Sequence, residues 1–238
     1  ASATTTVVVN TNPIANATNG GAYCEGATIQ LNSVGGSATD DWAGPGAYTA
    51  TNTQNPTIAS ATSAMAGNYT VTVTNASGCT STSSTNVLVN TLPTNTASNT
   101  GPYCVGASIQ LNATAGGSDY DWTGPNSYVQ NNTQNPIIAS STTTMSGLYT
   151  VTITNAAGCT STTTTNVIVN SLPTPNATNG GAYCEGATIQ LNSVGGSVTD
   201  DWTGPLAYTA ANTQNPAISS ATLGMGGIYT VTVTNAVS

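Results

Sequence analysis

The chain has 238 residues, contains no lysine, arginine, histidine or phenylalanine, and carries a formal net charge of −8 from eight acidic residues. Without cationic side chains it cannot clamp phosphates or release counterions, which excludes nucleic-acid binding and attraction to anionic membranes. Without histidine and lysine it lacks the usual general bases and the Schiff-base nucleophile. No apolar run approaches the roughly 18 residues that cross a bilayer, so we expect no direct membrane insertion.

The sequence repeats every 80 residues without insertion or deletion. The landmarks that recur at this interval are Cys24, Cys104 and Cys184; Trp42, Trp122 and Trp202; Met65, Met145 and Met225; and Cys79 with Cys159. The phase predicts that residues 1–10 are the last strand of an upstream repeat. Repeat 1 then covers residues 11–90, repeat 2 covers 91–170, and repeat 3 covers 171–238 without its last strand. We therefore expect a piece of a longer array.

The first predicted strands of repeat 1 lie between residues 27 and 58. Residues 27–34 alternate between apolar and polar side chains, which places Ile29 and Leu31 on one face of a half-buried strand. The next strand carries Trp42 and ends at a Gly-Pro turn at 44–45. A short strand is predicted around Ile58.

The last two predicted strands of repeat 1 flank a turn at residues 76–78. Residues 67–75 place Tyr69, Val71 and Val73 on one face, and the final strand ends with Val87 and Val89. About six or seven short strands with turn signals every 8–12 residues are typical of a β-sandwich.

Several positions follow the immunoglobulin pattern. Trp42 stands where the tryptophan of strand C belongs, and Gly67-x-Tyr69 resembles a tyrosine corner. Val71 occupies the place of the second cysteine of the usual core disulfide, so we expect apolar packing there. The sequence predicts an all-β fold of tandem immunoglobulin-like β-sandwiches in a head-to-tail rod, with the tryptophans and corner tyrosines in the cores.

Longer strings carry a family resemblance. Y-C-V-G-A-S-I-Q-L (103–111), D-W-T-G-P-N-S-Y (121–128) and G-L-Y-T-V-T-I-T-N-A-A-G-C-T (147–160) resemble the Ig-like repeats of giant cell-surface proteins of Bacteroidetes. Among these are gliding-motility adhesins of the SprB type, which are cargo of type IX secretion. The resemblance covers nearly the whole chain and implies an extracellular, cell-surface location and a role in adhesion or gliding.

Acidic residues cluster before each tryptophan and are the candidate metal ligands. Calcium takes six to eight oxygens, of which two carboxylates per repeat supply only a part. We therefore favour solvated aspartates at a strand end, and we expect no cofactor. The candidate calcium ligands are Asp40, Asp41, Asp119, Asp121, Asp200 and Asp201.

The five cysteines predict disulfides, because no histidine or cation is present to activate a catalytic thiol. In immunoglobulin topology Cys24 and Cys79 lie at opposite ends of a sandwich, about 26 Å apart, beyond the roughly 7 Å reach of a disulfide. We therefore favour an interdomain bond between Cys24 and Cys159 over the intradomain pair of Cys24 with Cys79. Cys79, Cys104 and Cys184 would then pair with repeats outside this chain.

These features favour a non-enzymatic, structural repeat region of a secreted adhesin or filament, acting as an extended stalk. Its expected partners are neighbouring repeats, other copies of the filament and surface polysaccharide. One alternative is a carbohydrate-binding array that uses Trp42 or Tyr48 as a stacking platform. Another is a short subunit that polymerises by strand addition, with residues 1–10 completing the third repeat of the next chain.

Overall fold

The computed structural model describes residues 1–194 and 198–235, and within these ranges the regular structure is β-strand with short 3₁₀ turns. The high content of threonine and valine favours strands, and frequent glycine, asparagine and proline keep them short. The strands of repeat 1 are β1 (Ala17–Asn19), β2 (Ala22–Cys24), β3 (Ile29–Ser33), β4 (Thr39–Gly44), β5 (Tyr48–Ala50), β6 (Thr57–Ile58), β7 (Gly67–Thr74) and β8 (Thr80–Asn90).

The other two repeats place their strands at equivalent positions. Those of repeat 2 are β9 (Ala97–Asn99), β10 (Tyr103–Cys104), β11 (Ile109–Ala113), β12 (Asp119–Gly124), β13 (Tyr128–Gln130), β14 (Ile137–Ile138), β15 (Gly147–Thr154), β16 (Thr160–Val167) and β17 (Val169–Asn170). Those of repeat 3 are β18 (Ala177–Asn179), β19 (Ile189–Ser193), β20 (Thr199–Gly204), β21 (Tyr208–Ala210), β22 (Ala217–Ile218) and β23 (Thr230–Thr234). The 3₁₀ turns are Pro45–Ala47, Ser63–Met65, Thr143–Met145, Pro205–Ala207 and Leu223–Met225.

The chain divides into two compact units. The first consists of Ala1–Thr94, Gly116–Asp119 and Ile153–Ser161, and the second of Asn95–Ala115, Tyr120–Thr152 and Thr162–Ser238. Repeat 1 lies in the first unit and repeat 3 in the second, whereas repeat 2 contributes segments to both.

Two sheets form the sandwich of repeat 1. One has the order β1-β3-β6, and the other has the order β2-β8-β7-β4-β5. All pairs are antiparallel except β2 with β8, which run parallel. This strand order is that of an immunoglobulin-like sandwich.

The core of repeat 1 lies between these sheets. Ile29 and Leu31 of β3 face Trp42 of β4 and Tyr69 and Val71 of β7, and all five are at most 2% exposed. Each such side chain contributes about 1.5–3 kcal/mol when fully buried. The period-two alternation read from the sequence is confirmed, and so is the burial of the three tryptophans, since Trp122 and Trp202 are also at most 1% exposed.

Repeats 2 and 3 follow the same plan with differences in their second sheets. In repeat 2 the sheets are β9-β11-β14 and β13-β12-β15-β16, with a separate parallel pair of β10 and β17. In repeat 3 the sheets are β18-β19-β22 and β21-β20-β23. The described part of repeat 3 therefore has no counterpart of β2 or β8.

Residues 1–16 form no strand. The segment 1–10 is exposed throughout, including Val7, Val8 and Val9. Its interpretation as the last strand of an upstream repeat stays a prediction, as do the repeat boundaries at residues 90 and 170.

Candidate functional site: the disulfide joint

A disulfide joins Cys24 to Cys159, across a sequence separation of 135 residues and a Cα–Cα distance of 5.6 Å. It therefore links a residue of repeat 1 to a residue of repeat 2, and both belong to the first compact unit. This is the pairing that the sequence favours over Cys24 with Cys79.

Strand β2 positions Cys24. It pairs in parallel with the end of β8, so that Cys24 lies opposite Asn90, and the Glu25 amide donates to the Asn90 carbonyl at 2.9 Å. The short strand β2 was not expected from the sequence, because three residues cannot display an alternating pattern. It holds Cys24 beside the point where the chain leaves repeat 1.

An asparagine-centred turn positions Cys159. The Oδ1 atom of Asn155 accepts the amides of Ala157 and Cys159, both at 3.0 Å, and the Asn155 amide donates to the Cys159 carbonyl at 2.9 Å. The side chain also donates from Nδ2 to the Thr91 carbonyl at 2.9 Å. Thr91 directly follows Asn90, so the disulfide and this hydrogen bond hold the same stretch of chain from two sides.

The asparagine hydrogen bond recurs in each repeat. Asn75 donates to the Thr11 carbonyl and Asn235 to the Ser171 carbonyl, each at 2.8 Å. Sequence reasoning missed this role, although the N-A-x-G-C string at 75–79 and 155–159 was a usable signal of an Asx turn. We call this arrangement the joint. Between repeats 1 and 2 it consists of the disulfide-bonded Cys24 and Cys159, the turn residue Asn155 and the Thr91 carbonyl to which Asn155 donates.

The remaining cysteines do not form disulfides within this chain. Cys79 is half-buried, with its Sγ atom 4.0 Å from the Asn10 carbonyl, and Cys184 is exposed. Cys104 ends β10, opposite Asn170 of β17. The pairing of these three with other repeats stays a prediction.

The aspartates take part in the structure of their own turns. Asp40 is 6% exposed and its Oδ1 accepts the hydroxyls of Ser33 and Ser37. The equivalent residue of repeat 2 is Tyr120, so this pocket does not need a carboxylate in every repeat. Across residues 1–194 and 198–235, no three His, Cys, Asp or Glu side chains gather where they could hold a metal ion.

A second set of carboxylates caps a loop after β5 and its counterparts. Asp41, Asp121 and Asp201 accept the amides of Asn52, Asn132 and Asn212 at 2.8, 3.4 and 2.7 Å. These hydrogen bonds give the aspartates a structural role. Asp200, the equivalent of Asp40, is 5% exposed and accepts the Ser193 hydroxyl, so these two aspartates are buried and not solvated as expected. Calcium binding, the less favoured alternative, stays untested.

The aromatic residues pack inward. The Trp42 Nε1 donates to the Gln54 carbonyl at 3.3 Å from within the core, so the sugar-stacking platform proposed for Trp42 is wrong. Tyr48 packs edge-on against the corner tyrosine Tyr69, with ring centroids 5.5 Å apart. Tyr48 therefore packs against the same core.

The tyrosine corners predicted from Gly-x-Tyr are confirmed. The hydroxyls of Tyr69, Tyr149 and Tyr229 donate to the carbonyls of Met65, Met145 and Met225, each at 3.0 Å. Burial raises the pKa of Tyr69 above its usual 10.0, with a smaller contribution from the nearby Tyr48, and burial likewise raises the pKa of Tyr149. The hydroxyls of Tyr69 and Tyr149 therefore stay protonated as hydrogen-bond donors.

Along the part of the chain that the structure describes, no helix is long and apolar enough to cross a membrane. No protein-family model matches this sequence, and no curated protein matches it.

Among solved structures, the chain is similar to tandem Ig-like proteins. Three N-terminal domains of the Hoc outer capsid protein of bacteriophage RB49 align at 19% identity and a TM-score of 0.37, covering 92% of this chain and 86% of that one. Immunoglobulin domains 1–5 of Sidekick-1 align at 15% identity and a TM-score of 0.36, covering 94% of this chain and 57% of that one. The amphioxus IgVJ-C2 molecule aligns at 18% identity and a TM-score of 0.30, covering 62% of this chain and 99% of that one. The strand order, the buried tryptophans and the tyrosine corners by themselves make the chain a tandem array of Ig-like β-sandwich repeats.

Proposed function

We propose that this chain is a non-enzymatic structural segment of a secreted cell-surface adhesin or filament, in which the repeats form a stalk for attachment or gliding. The observation that supports it most is the disulfide between Cys24 and Cys159, which ties one repeat to the next. A bond within a repeat would stabilise that repeat alone. A bond between repeats resists their separation when the chain is pulled.

Disulfides persist in oxidising compartments, which supports a location outside the cytosol. The absence of lysine and arginine also leaves trypsin-like proteases no cleavage site, as suits an exposed fibre. The resemblance of the 103–111 and 147–160 strings to Bacteroidetes surface repeats supports the cell surface, export by type IX secretion and a gliding adhesin of the SprB type. Repeats whose contacts are mostly with their neighbours add length without changing the fold.

Surface labelling of intact cells tests the proposal. Antibodies raised against the purified chain should decorate unpermeabilised cells of the source organism in immunogold electron microscopy. Antibodies pre-absorbed with the same chain provide the control, and labelling should disappear. Signal only after permeabilisation would place the protein inside the cell and contradict the proposal.

A further inference from the structure

Strand β8 of repeat 1 is a long strand that has a neighbour on only one side for most of its length. Residues 80–87 pair with β7 in continuous register without a bulge, and β2 pairs only with residues 88–90. The other strands at the edges of these two sheets, β1, β2, β5 and β6, have only two or three residues. Short edge strands limit pairing with other chains, whereas a long one is a template for it.

The equivalent strand of repeat 2 has the same position. Strand β16 is the last strand of its sheet, whose order is β13-β12-β15-β16. Repeat 2 is preceded by repeat 1 and followed by repeat 3. The unpaired side of this strand is therefore a property of the repeat itself.

Two hydrogen bonds show which backbone groups of β8 point away from β7. The carbonyl of Asn90 accepts the Glu25 amide, and the carbonyl of Asn86 accepts Nδ2 of Asn19, both at 2.9 Å. Neither donor belongs to β7. Because alternate residues of a strand direct their N–H and C=O groups to the same side, the even-numbered residues of β8 face away from β7.

Three residues in the first half of β8 therefore present open backbone groups, namely Thr80, Thr82 and Ser84. Across residues 1–194 and 198–235, no hydrogen bond reaches the N–H or C=O groups on this side of them. Their side chains are exposed, and β8 contains no proline and no charged residue, which are the usual protections of an edge strand. We call residues 80–84 the open edge.

The distribution of charge allows two open edges to approach each other. Copies of a chain with a net charge of −8 repel one another, but residues 42–118 contain no charged side chain. Asp41 lies in the same row across the sheet as Thr72 and Thr82, two strands away from the open edge. That separation is about 10 Å, close to the distance over which physiological salt screens a charge.

We propose that the open edge pairs antiparallel with the open edge of a second copy of this chain. One register pairs the three open residues among themselves, with Thr82 opposite Thr82 and Thr80 opposite Ser84. Each pair exchanges two backbone hydrogen bonds, about six in all. The hydroxyls of opposing residues lie on one face and can hydrogen-bond across the new pair.

This self-complementarity is the reason for choosing a second copy as the partner. The uncharged edge meets an identical uncharged edge, and every open group finds its complement. Repeat 2 carries threonine at the three equivalent positions, 160, 162 and 164, so more than one repeat offers the contact. The inference goes beyond the proposed function by naming a lateral partner, and the stalk would stand without it.

Disulfide trapping in the full chain tests the register. In an antiparallel hydrogen-bonded pair the Cα atoms are about 5.5 Å apart, within the roughly 7 Å reach of a disulfide. Thr82→Cys should therefore give a covalent dimer on non-reducing gels when oxidised glutathione is added. Two thiols lose two protons and two electrons, and one oxidised glutathione becomes two of glutathione. The parent chain for all variants keeps the Cys24–Cys159 bond and carries Cys79→Ser, Cys104→Ser and Cys184→Ser.

A second pair of variants is the matched control for trapping. Thr80→Cys alone places the two introduced thiols about 14 Å apart in the proposed register, so its dimer yield should be at least about tenfold lower. Copies with Thr80→Cys mixed with copies with Ser84→Cys should give the mixed dimer, because these two positions oppose each other. Mass spectrometry with one copy labelled with ¹⁵N identifies it.

Lysine substitutions test the association without a covalent bond. Thr82→Lys places two like charges directly opposite each other and should weaken dimerisation in sedimentation velocity by at least about fivefold. Thr72→Lys, on the same face of the neighbouring strand, should associate like the parent chain. Circular dichroism and an intact Cys24–Cys159 bond confirm that each variant folds.

Three results would overturn the inference. The first is the absence of a trapped Thr82→Cys dimer at millimolar concentration. The second is equal trapping by Thr80→Cys and Thr82→Cys, which would indicate random collision. The third is an equal effect of the two lysine substitutions. Surface labelling of cells is independent of each of these results, so the proposed function is tested separately.

Discussion

The corner tyrosines show how single residues constrain one another within each sandwich. The ring of Tyr149 is fully buried, and its hydroxyl is fixed on the Met145 carbonyl. The ring packs against the backbone of Gly124, at the end of the tryptophan strand, so closely that a Cβ there would lie 2.4 Å from Tyr149 Cδ1. The glycine of the W-x-G-P string is therefore required by the tyrosine on the neighbouring strand, and not by a special backbone angle.

Replacing this glycine should destabilise repeat 2. Gly124→Ala inserts a methyl group against a ring that cannot move, so we expect a loss of about 1–3 kcal/mol in the free energy of unfolding. Urea unfolding followed by tryptophan fluorescence measures it. Gly226→Ala is the matched control, because its Cβ would lie 3.4 Å from the nearest atom and repeat 1 has Ala66 at that position. Equal effects of the two substitutions would refute the packing argument.

At the scale of elements, the sequence predicted the strands that alternate and missed those that do not. Strands β3 and β7 carry two and three inward apolar residues, so their period was readable before the structure. Strand β2 has only three residues, and its parallel pairing with β8 depends on contacts distant in sequence. The Cys24–Cys159 pairing could be predicted because Cys24 and Cys79 lie at opposite ends of one sandwich, too far apart for a disulfide. The Asn155 hydrogen bond could not be predicted, because the sequence contains many asparagines that look alike.

The turn at residues 155–159 should determine how stable the joint is. Asn155→Ala removes two hydrogen bonds within the turn and the one to the Thr91 carbonyl. We expect a loss of about 1–3 kcal/mol, since the partly buried Cys159 amide loses its acceptor.

Hydrogen exchange provides the local readout for this variant. The Cys159 amide should exchange faster in Asn155→Ala than in the parent protein. Asn131→Ala, which truncates an exposed asparagine, should leave both stability and exchange unchanged. Unaltered protection of Cys159 in Asn155→Ala would show that the turn does not depend on this side chain.

In the whole molecule, repeats 1 and 2 are joined by a disulfide as well as by the main chain. The cores of repeats 1 and 3 are each built from their own side chains, while the disulfide encloses 135 residues of repeats 1 and 2 in one loop. In the entropic model, a loop of that length stabilises the folded state by about 5 kcal/mol. Under tension the same loop keeps most of the two repeats from extending even when their sandwiches unfold.

Single-molecule pulling of the chain from its two ends measures this directly. With the Cys24–Cys159 bond intact, the fully unfolded contour length should be shorter than after reduction by about 450–490 Å, because the 135 residues between the cysteines cannot extend at roughly 3.3–3.6 Å each. Cys159→Ser should give the longer contour without reductant. An oxidised chain whose contour length does not change on reduction would contradict the account.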